Sequence, residues 1–96
     1  MTWIFEIEDK SGRKIHLSKE RWKHIVTEHS DLANKIEDIK DCLTNALTIK
    51  HSKYDEKVRW YFRYYKRLSK YLMVSVKYLN GEGFIITAFY ISNLPK

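Results

Sequence analysis

The sequence predicts an α+β domain: an N-terminal β-hairpin, then two helices packed on one face of a four-stranded antiparallel sheet, in the order ββ-αα-ββββ. Three observations predict it. Apolar residues alternate at period two from Trp3 to Asp9 and again from Thr48 onward. Between those stretches the spacing turns helical: Trp22, Ile25, Val26 and His29 fall on one helix face, then Leu32, Ile36, Ile39, Leu43 and Leu47 form an apolar stripe. Turn signals fall between the periodic segments, the clearest being Asn80-Gly81-Glu82-Gly83. Helices grouped against an antiparallel meander are the α+β arrangement.

Each element has its own signal. Trp3 to Asp9 reads as a strand, Ser11-Gly12 as a turn, and Lys14 to Leu17 as a short returning strand. Ser18 is placed to cap the first helix, and Glu20 suits the positive end of its dipole. Ser30 or Asp31 caps the second helix. Thr48 to Lys53 is a strand, with Tyr54-Asp55-Glu56-Lys57 as its hairpin connection. Val58 to Tyr65 and Tyr71 to Tyr78 follow, joined by Lys66-Arg67-Leu68-Ser69, and Phe84 to Ser92 is the last strand.

The Val58 strand carries two contrasting rows. Val58, Trp60, Phe62 and Tyr64 point one way; Arg59, Tyr61, Arg63 and Tyr65 point the other. Burial is expected to turn Trp60 and Phe62 toward the helices with Val74 and Val76. The open face then carries Arg59, Tyr61, Arg63 and Tyr65, with Ser75, Lys77 and Thr87 beside them. Ile86 and Ala88 are expected on the helix side.

Composition bounds the function. The 96 residues form one expected domain, 1–96, with 44% apolar and 31% charged residues, as in ordinary globular chains. No apolar run reaches the roughly 20 residues of a membrane span. The acidic, alternating N-terminus predicts no signal peptide. Cys42 is alone, which excludes an internal disulfide, fits a reducing, cytoplasmic setting, and reads as a buried thiol. The net charge is +6, yet residues 50–77 hold nine Lys and Arg against Asp55 and Glu56, a net of +7. Such concentrated charge favours a polyanion. Lysine-rich strands also discourage edge pairing, so solubility is the competing explanation.

Metal-free RNA cleavage needs a base for the 2′-hydroxyl, an acid for the leaving oxygen and cations for the phosphorane. Arg59, Arg63 and Lys77 can supply the cations, and Tyr61 and Tyr65 can stack bases or donate from the phenol. Thr87 can hold a phosphate oxygen. Lys66, Arg67 and Lys70 extend the basic surface. His24, His29 and His51 can move protons, since histidine titrates near neutrality. His24 and His29 lie about 140° apart around a helix, so they are not an i, i+4 metal pair. No metal site and no cofactor is expected. His29 reads either as catalytic or as a helix-ending histidine satisfied by carbonyls. His16 sits near a strand end; His51 reads as a platform residue or a solvated edge residue. The tyrosines equally fit cross-strand packing.

Glu20-Arg21-Trp22-Lys23-His24-Ile25 with His29 resembles a helix segment of small phage- and toxin-associated domains in the Barnase–EndoU–colicin–RelE (BECR) group of ribonucleases. Tyr64-Tyr65, Tyr71-Leu72-Met73-Val74-Ser75-Val76 and Ile85-Ile86-Thr87-Ala88-Phe89-Tyr90 are similar to that group's later strands, in the same order. The likeness runs from about Ile15 to Lys96. It implies two helices on a four-stranded antiparallel sheet and metal-independent RNA cleavage on the exposed sheet face. It also implies function at His24, His29, Arg59, Arg63, Tyr65 and Thr87. Members often read Arg-His-Pro-acidic where this chain reads Glu28-His29-Ser30-Asp31.

The leading expectation is therefore a small toxin-type or phage-associated endoribonuclease. RNA is its partner, and a small acidic antitoxin protein would mask its basic face. A non-catalytic RNA-binding module and an interaction protein for an acidic partner are the alternatives.

Overall fold

A computed structural model describes residues 3–95; Met1, Thr2 and Lys96 of the expected 1–96 domain lie outside the described residues. The elements are β1 (Trp3–Glu8), β2 (Lys14–Ser18), α1 (Lys19–Glu28), a 3-10 turn (Ser30–Leu32) and α2 (Ile36–Thr44). The meander β3 (Thr48–His51), β4 (Val58–Tyr65), β5 (Lys70–Leu79) and β6 (Glu82–Ile91) follows. The class is α+β and the element order is the expected one. The sheet differs: it has six strands in the order β1-β2-β6-β5-β4-β3 and is mixed. The N-terminal hairpin joins it because Ile15 and His16 pair in parallel with Gly83 and Phe84.

Gly83 permits that junction. A Cβ there would lie 2.9 Å from Val76 Cγ1, 3.0 Å from Tyr78 Cε1 and 3.1 Å from Ile15 Cγ1. Asn80 and Gly81 both have positive φ, as a two-residue type I′ turn between paired Leu79 and Glu82 requires.

The caps explain the helix limits. Ser18 Oγ accepts from the Arg21 amide at 3.1 Å and starts α1. Ser30 and Asp31 do not cap the second helix as expected. They lie in the 3-10 turn, and α2 begins only at Ile36 with Lys35 before it. Leu32 still reaches the core, whereas Leu47 is 60% exposed. The chain has left α2 by then, and the Leu47 amide already bonds the Phe62 carbonyl at 2.7 Å. Ile25, Leu32, Ile39, Cys42 and Leu43 pack on Ile15, Leu17, Leu72, Val74, Val76 and Ala88. Burying such side chains is worth roughly 1.5–3 kcal/mol each.

The face assignment of β4 is corrected. Tyr61 and Tyr65 join the helix-side core, and Trp60 and Phe62 lie on the other face with Met73 and Phe89. Register is the reason. The connection Lys66–Ser69 has four residues, so Tyr65 pairs Lys70 and Tyr61 pairs Val74. Odd residues of β4 therefore share a face with even residues of β5. Leu72, Val74 and Val76 do face the helices, as expected, which forces Tyr61 and Tyr65 to join them. On β6, Ala88 is buried on the helix side and Thr87 pairs Ser75 on the open face, both as expected. A bulge between Ser75 and Val76 leaves Ile86 unpaired and turns Ile85 inward.

The open face is thus apolar and aromatic rather than basic. Past β6, Asn93 and Pro95 lie along it and share a groove of about 350 Å³ with Trp60, Phe62, Met73, Phe89 and Ile91. Among the described residues, no helix is long and apolar enough to cross a membrane.

Candidate functional site

The expected site residues separate in space. His24 is exposed on α1, its Nε2 2.7 Å from Glu28 Oε1, in a cleft with Ser18, Glu20 and Arg21. The His29 ring lies 5.4 Å from that of Phe89, at the end of α1. Thr87 stands on the open face. Arg63 and Tyr65, expected on that face, instead hold α2. Arg63 Nε pairs with Asp41 Oδ2 at 2.7 Å, and its Nη1 donates to the Asn45 carbonyl at 2.7 Å. Tyr65 donates its hydroxyl to Asp41 Oδ2 at 2.8 Å and contacts the Asp38 carbonyl at 2.9 Å. Arg67 pairs with Asp38. Burial pushes the Tyr65 phenol up, reinforced by its bond to Asp41. Lys77 is engaged by Asp55 at 3.0 Å, while Lys66 is exposed on the β4–β5 connection and Lys70 at the start of β5.

Two members of the set do converge. His51 and Arg59 are cross-strand partners on β3 and β4. They line a polar cleft of about 540 Å³ with Arg13, Glu56, Lys57, Tyr78 and Gly81. The cleft occupies the helix side of the sheet where the β1–β2 turn approaches it. Its lining carries three cations against one carboxylate, and His51 lies exposed on the edge strand. His51 therefore keeps both readings given to it: an edge residue, and a neighbour of the basic site.

Tyr78, which lines the cleft, belongs to a hydrogen-bonded chain that runs behind it. Tyr61 and Tyr78 hydroxyls lie 2.5 Å apart, and Tyr78 donates to Asp9 Oδ2 at 3.0 Å. Tyr78 has one hydroxyl proton, so Tyr61 donates to Tyr78. Asp9 Oδ1 accepts from the Ser11 amide at 2.9 Å, the Ser11 hydroxyl at 2.6 Å and the Arg13 amide at 3.0 Å. Burial works to raise the Asp9 carboxyl, but the bonds from Ser11, Arg13 and Tyr78 outweigh it and hold it below its usual value. Burial pushes both phenols up, Tyr78 further through its bonds to Tyr61 and Asp9. Both tyrosines are therefore neutral donors at pH 7.

The Tyr78 ring also orients the cations. The Arg13 guanidinium lies 3.9 Å from the Tyr78 ring centroid and that of Arg59 lies 5.9 Å from it. Arg59 Nη1 donates to the Glu56 carbonyl at 2.7 Å, which fixes one edge of its fork. Two guanidinium groups held on one ring suit the oxygens of a phosphodiester. Among the described residues, no three His, Cys, Asp or Glu side chains gather as a metal would need.

Asp9, Arg13, Lys57 and Tyr78 escaped sequence reasoning. The signal was present in part: an aspartate two residues before Ser11 and four before Arg13 is the pattern of a side-chain-capped turn. Arg13 lies outside residues 50–77, so a charge count along the chain does not join it to Arg59.

Cys42 is buried, its thiol directed at the Tyr61 and Leu72 carbonyls at 3.5 and 3.6 Å. Burial pushes that thiol up to about 12, so it is inert at neutral pH.

Compared with protein-family models and with curated proteins, the chain matches none.

Proposed function

We propose that this protein is a small metal-independent endoribonuclease of toxin or phage-associated type, acting at the Arg13–His51–Arg59 cleft. The observation that carries the reading is the meeting of two guanidinium groups, Lys57 and a solvent-reaching histidine in one cleft. His51 accepts the proton of the 2′-hydroxyl. The 2′-oxygen bonds phosphorus, and the bond to the 5′-oxygen breaks. The leaving oxygen takes a proton from water in the open cleft. Arg13 and Arg59 stabilise the charge that builds on the phosphorane oxygens. The products are a 2′,3′-cyclic phosphate and a 5′-hydroxyl.

The likeness to the BECR group belongs to this proposal, with one change. The acting residues are His51 and Arg59 rather than His24, His29, Arg63, Tyr65 and Thr87. The Cys42 thiol suits a reducing cytoplasm, and a small acidic protein covering the same cations would act as an antitoxin.

The test is incubation of a mixed RNA pool in EDTA, with analysis of end groups. Cyclic phosphate ends are expected, lost in Arg59→Ala and His51→Ala and kept in Arg63→Ala. RNA binding that depends on Arg59 without cleavage identifies a binding module instead. Absence of both at low salt overturns the polyanion reading.

A further inference from the structure

A second cleft adjoins the first across the free edge of β3. It measures about 290 Å³ and is lined by Lys50, His51, Lys53, Tyr54, Trp60 and Pro95. His51 is common to both clefts. We infer that this second cleft is a base-stacking subsite, which seats the nucleotide next to the phosphate bound by Arg13 and Arg59. The inference rests on the cleavage reading above for the position of that phosphate.

Its chemistry differs from that of the first cleft. Tyr54 is 95% exposed, an unusual setting for a ring that covers no core. It is nonetheless held. The Ser52 hydroxyl accepts from the amides of Tyr54 and Asp55, each at 3.2 Å, and Asp55 accepts from the Lys57 amide at 2.9 Å. Asp55 is further tied to Lys77. The turn therefore presents the ring from a fixed backbone. Trp60 supplies a second, half-buried ring, and Lys50 and Lys53 supply cations for a flanking phosphate. Rings beside lysines at a strand edge are what a single-stranded nucleic acid needs for stacking and backbone neutralisation. Glu56 and Lys57 of the same turn line the phosphate cleft, so one connection, 52–57, serves both.

Two non-cleavable probes of equal charge test this: a 2′-O-methyl adenine hexamer and an abasic tetrahydrofuran-phosphate hexamer, compared by fluorescence anisotropy. The adenine hexamer is expected to bind about tenfold tighter. Tyr54→Ala, which removes no packing, is expected to bring the two within about twofold of each other, and Trp60→Leu to do the same. Arg59→Ala should weaken both probes alike. Equal affinity of the two probes for the unaltered protein overturns the subsite, as does a preference that survives both ring substitutions. A preference that depends on Tyr54 but is accompanied by indifference to Arg59→Ala keeps the subsite and sinks the phosphate cleft. Failure of both probes to bind at low salt overturns both.

Discussion

The two ends of β4 carry the same residue types on the same face of the sheet and meet opposite fates. At one end, Arg63 and Tyr65 lie under α2, where the Asp41 carboxylate neutralises Arg63 and, with the Asp38 carbonyl, anchors the Tyr65 hydroxyl. At the other, Arg59 and Tyr61 lie beyond α2, with Tyr78 and Arg13 as neighbours. Desolvation works to raise the Asp41 carboxyl, but bonds from Asn45 and Tyr65 and the Arg63 charge hold it below its usual value, so it stays ionised against Arg63. Among the described residues, the Arg59 guanidinium donates only to the Glu56 carbonyl and faces the Tyr78 ring. An alternating Arg/Tyr row is therefore not one surface. Where a helix supplies carboxylates it becomes a joint, and where it does not it lines the proposed phosphate cleft.

Exchanging activity for stability is the sharpest way to break that contrast. Arg59→Ala should lower kcat/KM for RNA cleavage about 100-fold with little change in Tm, the usual loss for one charge-stabilising donor. Arg63→Ala should leave kcat/KM within about threefold. Equal kinetic losses in the two variants would show that both ends of the strand touch substrate.

Thermal or urea unfolding reads the reverse side. Arg63→Ala removes a part-exposed ion pair and one carbonyl bond, so a loss of about 1 kcal/mol is expected after solvent screening. Tyr65→Phe removes the hydroxyl shared by Asp41 and the Asp38 carbonyl, again about 1 kcal/mol. Arg59→Ala should fall within about 0.5 kcal/mol of the parent.

These same residues show what the chain disclosed. β4 was legible to its end residues because period-two alternation spans all of Val58–Tyr65. The Asn80-Gly81 turn and the Ser18 cap were legible because each rests on local backbone chemistry. The inward row of β4 was not, because both rows are amphipathic and the choice depends on pairing with β5. A tyrosine can bury its ring and still reach a carboxylate with its hydroxyl, so Tyr61 and Tyr65 pass as surface residues in a pattern argument. The parallel β2–β6 pair was illegible for a similar reason: it joins residues far apart in the chain through a single small residue, Gly83. For the proposed site, the sequence singled out Arg59 and His51 among candidates that the fold scatters, and it missed Arg13, which arrives from the other end of the chain.

Acid sharpens the comparison because each end of the row leans on one depressed carboxylate, Asp9 or Asp41. A carboxyl held lower in the folded state stabilises it above about pH 4 and loses that contribution as pH falls through its folded value. Unfolding free energy should therefore drop below about pH 4 in the parent. Asp9→Asn and Asp41→Asn should each be less stable at pH 7, by about 1 kcal/mol, and show a shallower acid loss. A parent whose stability is flat from pH 7 to 3 would remove the ionised form of these groups from the account.

The smallest expected effect is in salt dependence, and it isolates charge from fold. A cation that meets a phosphate contributes about 0.7 to the slope of log K against log salt for a single-stranded ligand. Arg59→Ala should reduce the slope by about that amount, measured with the non-cleavable adenine hexamer, and Arg13→Ala by less, since Arg13 Nε already lies 3.4 Å from Asp9 Oδ2. Arg63→Ala removes the same formal charge but should leave the slope unchanged, since Asp41 already compensates that guanidinium at 2.7 Å. Net charge falls equally in the three variants, so long-range attraction alone predicts three equal changes. A difference between Arg59 and Arg63 can arise only if one end of β4 releases counterions from the ligand and the other does not.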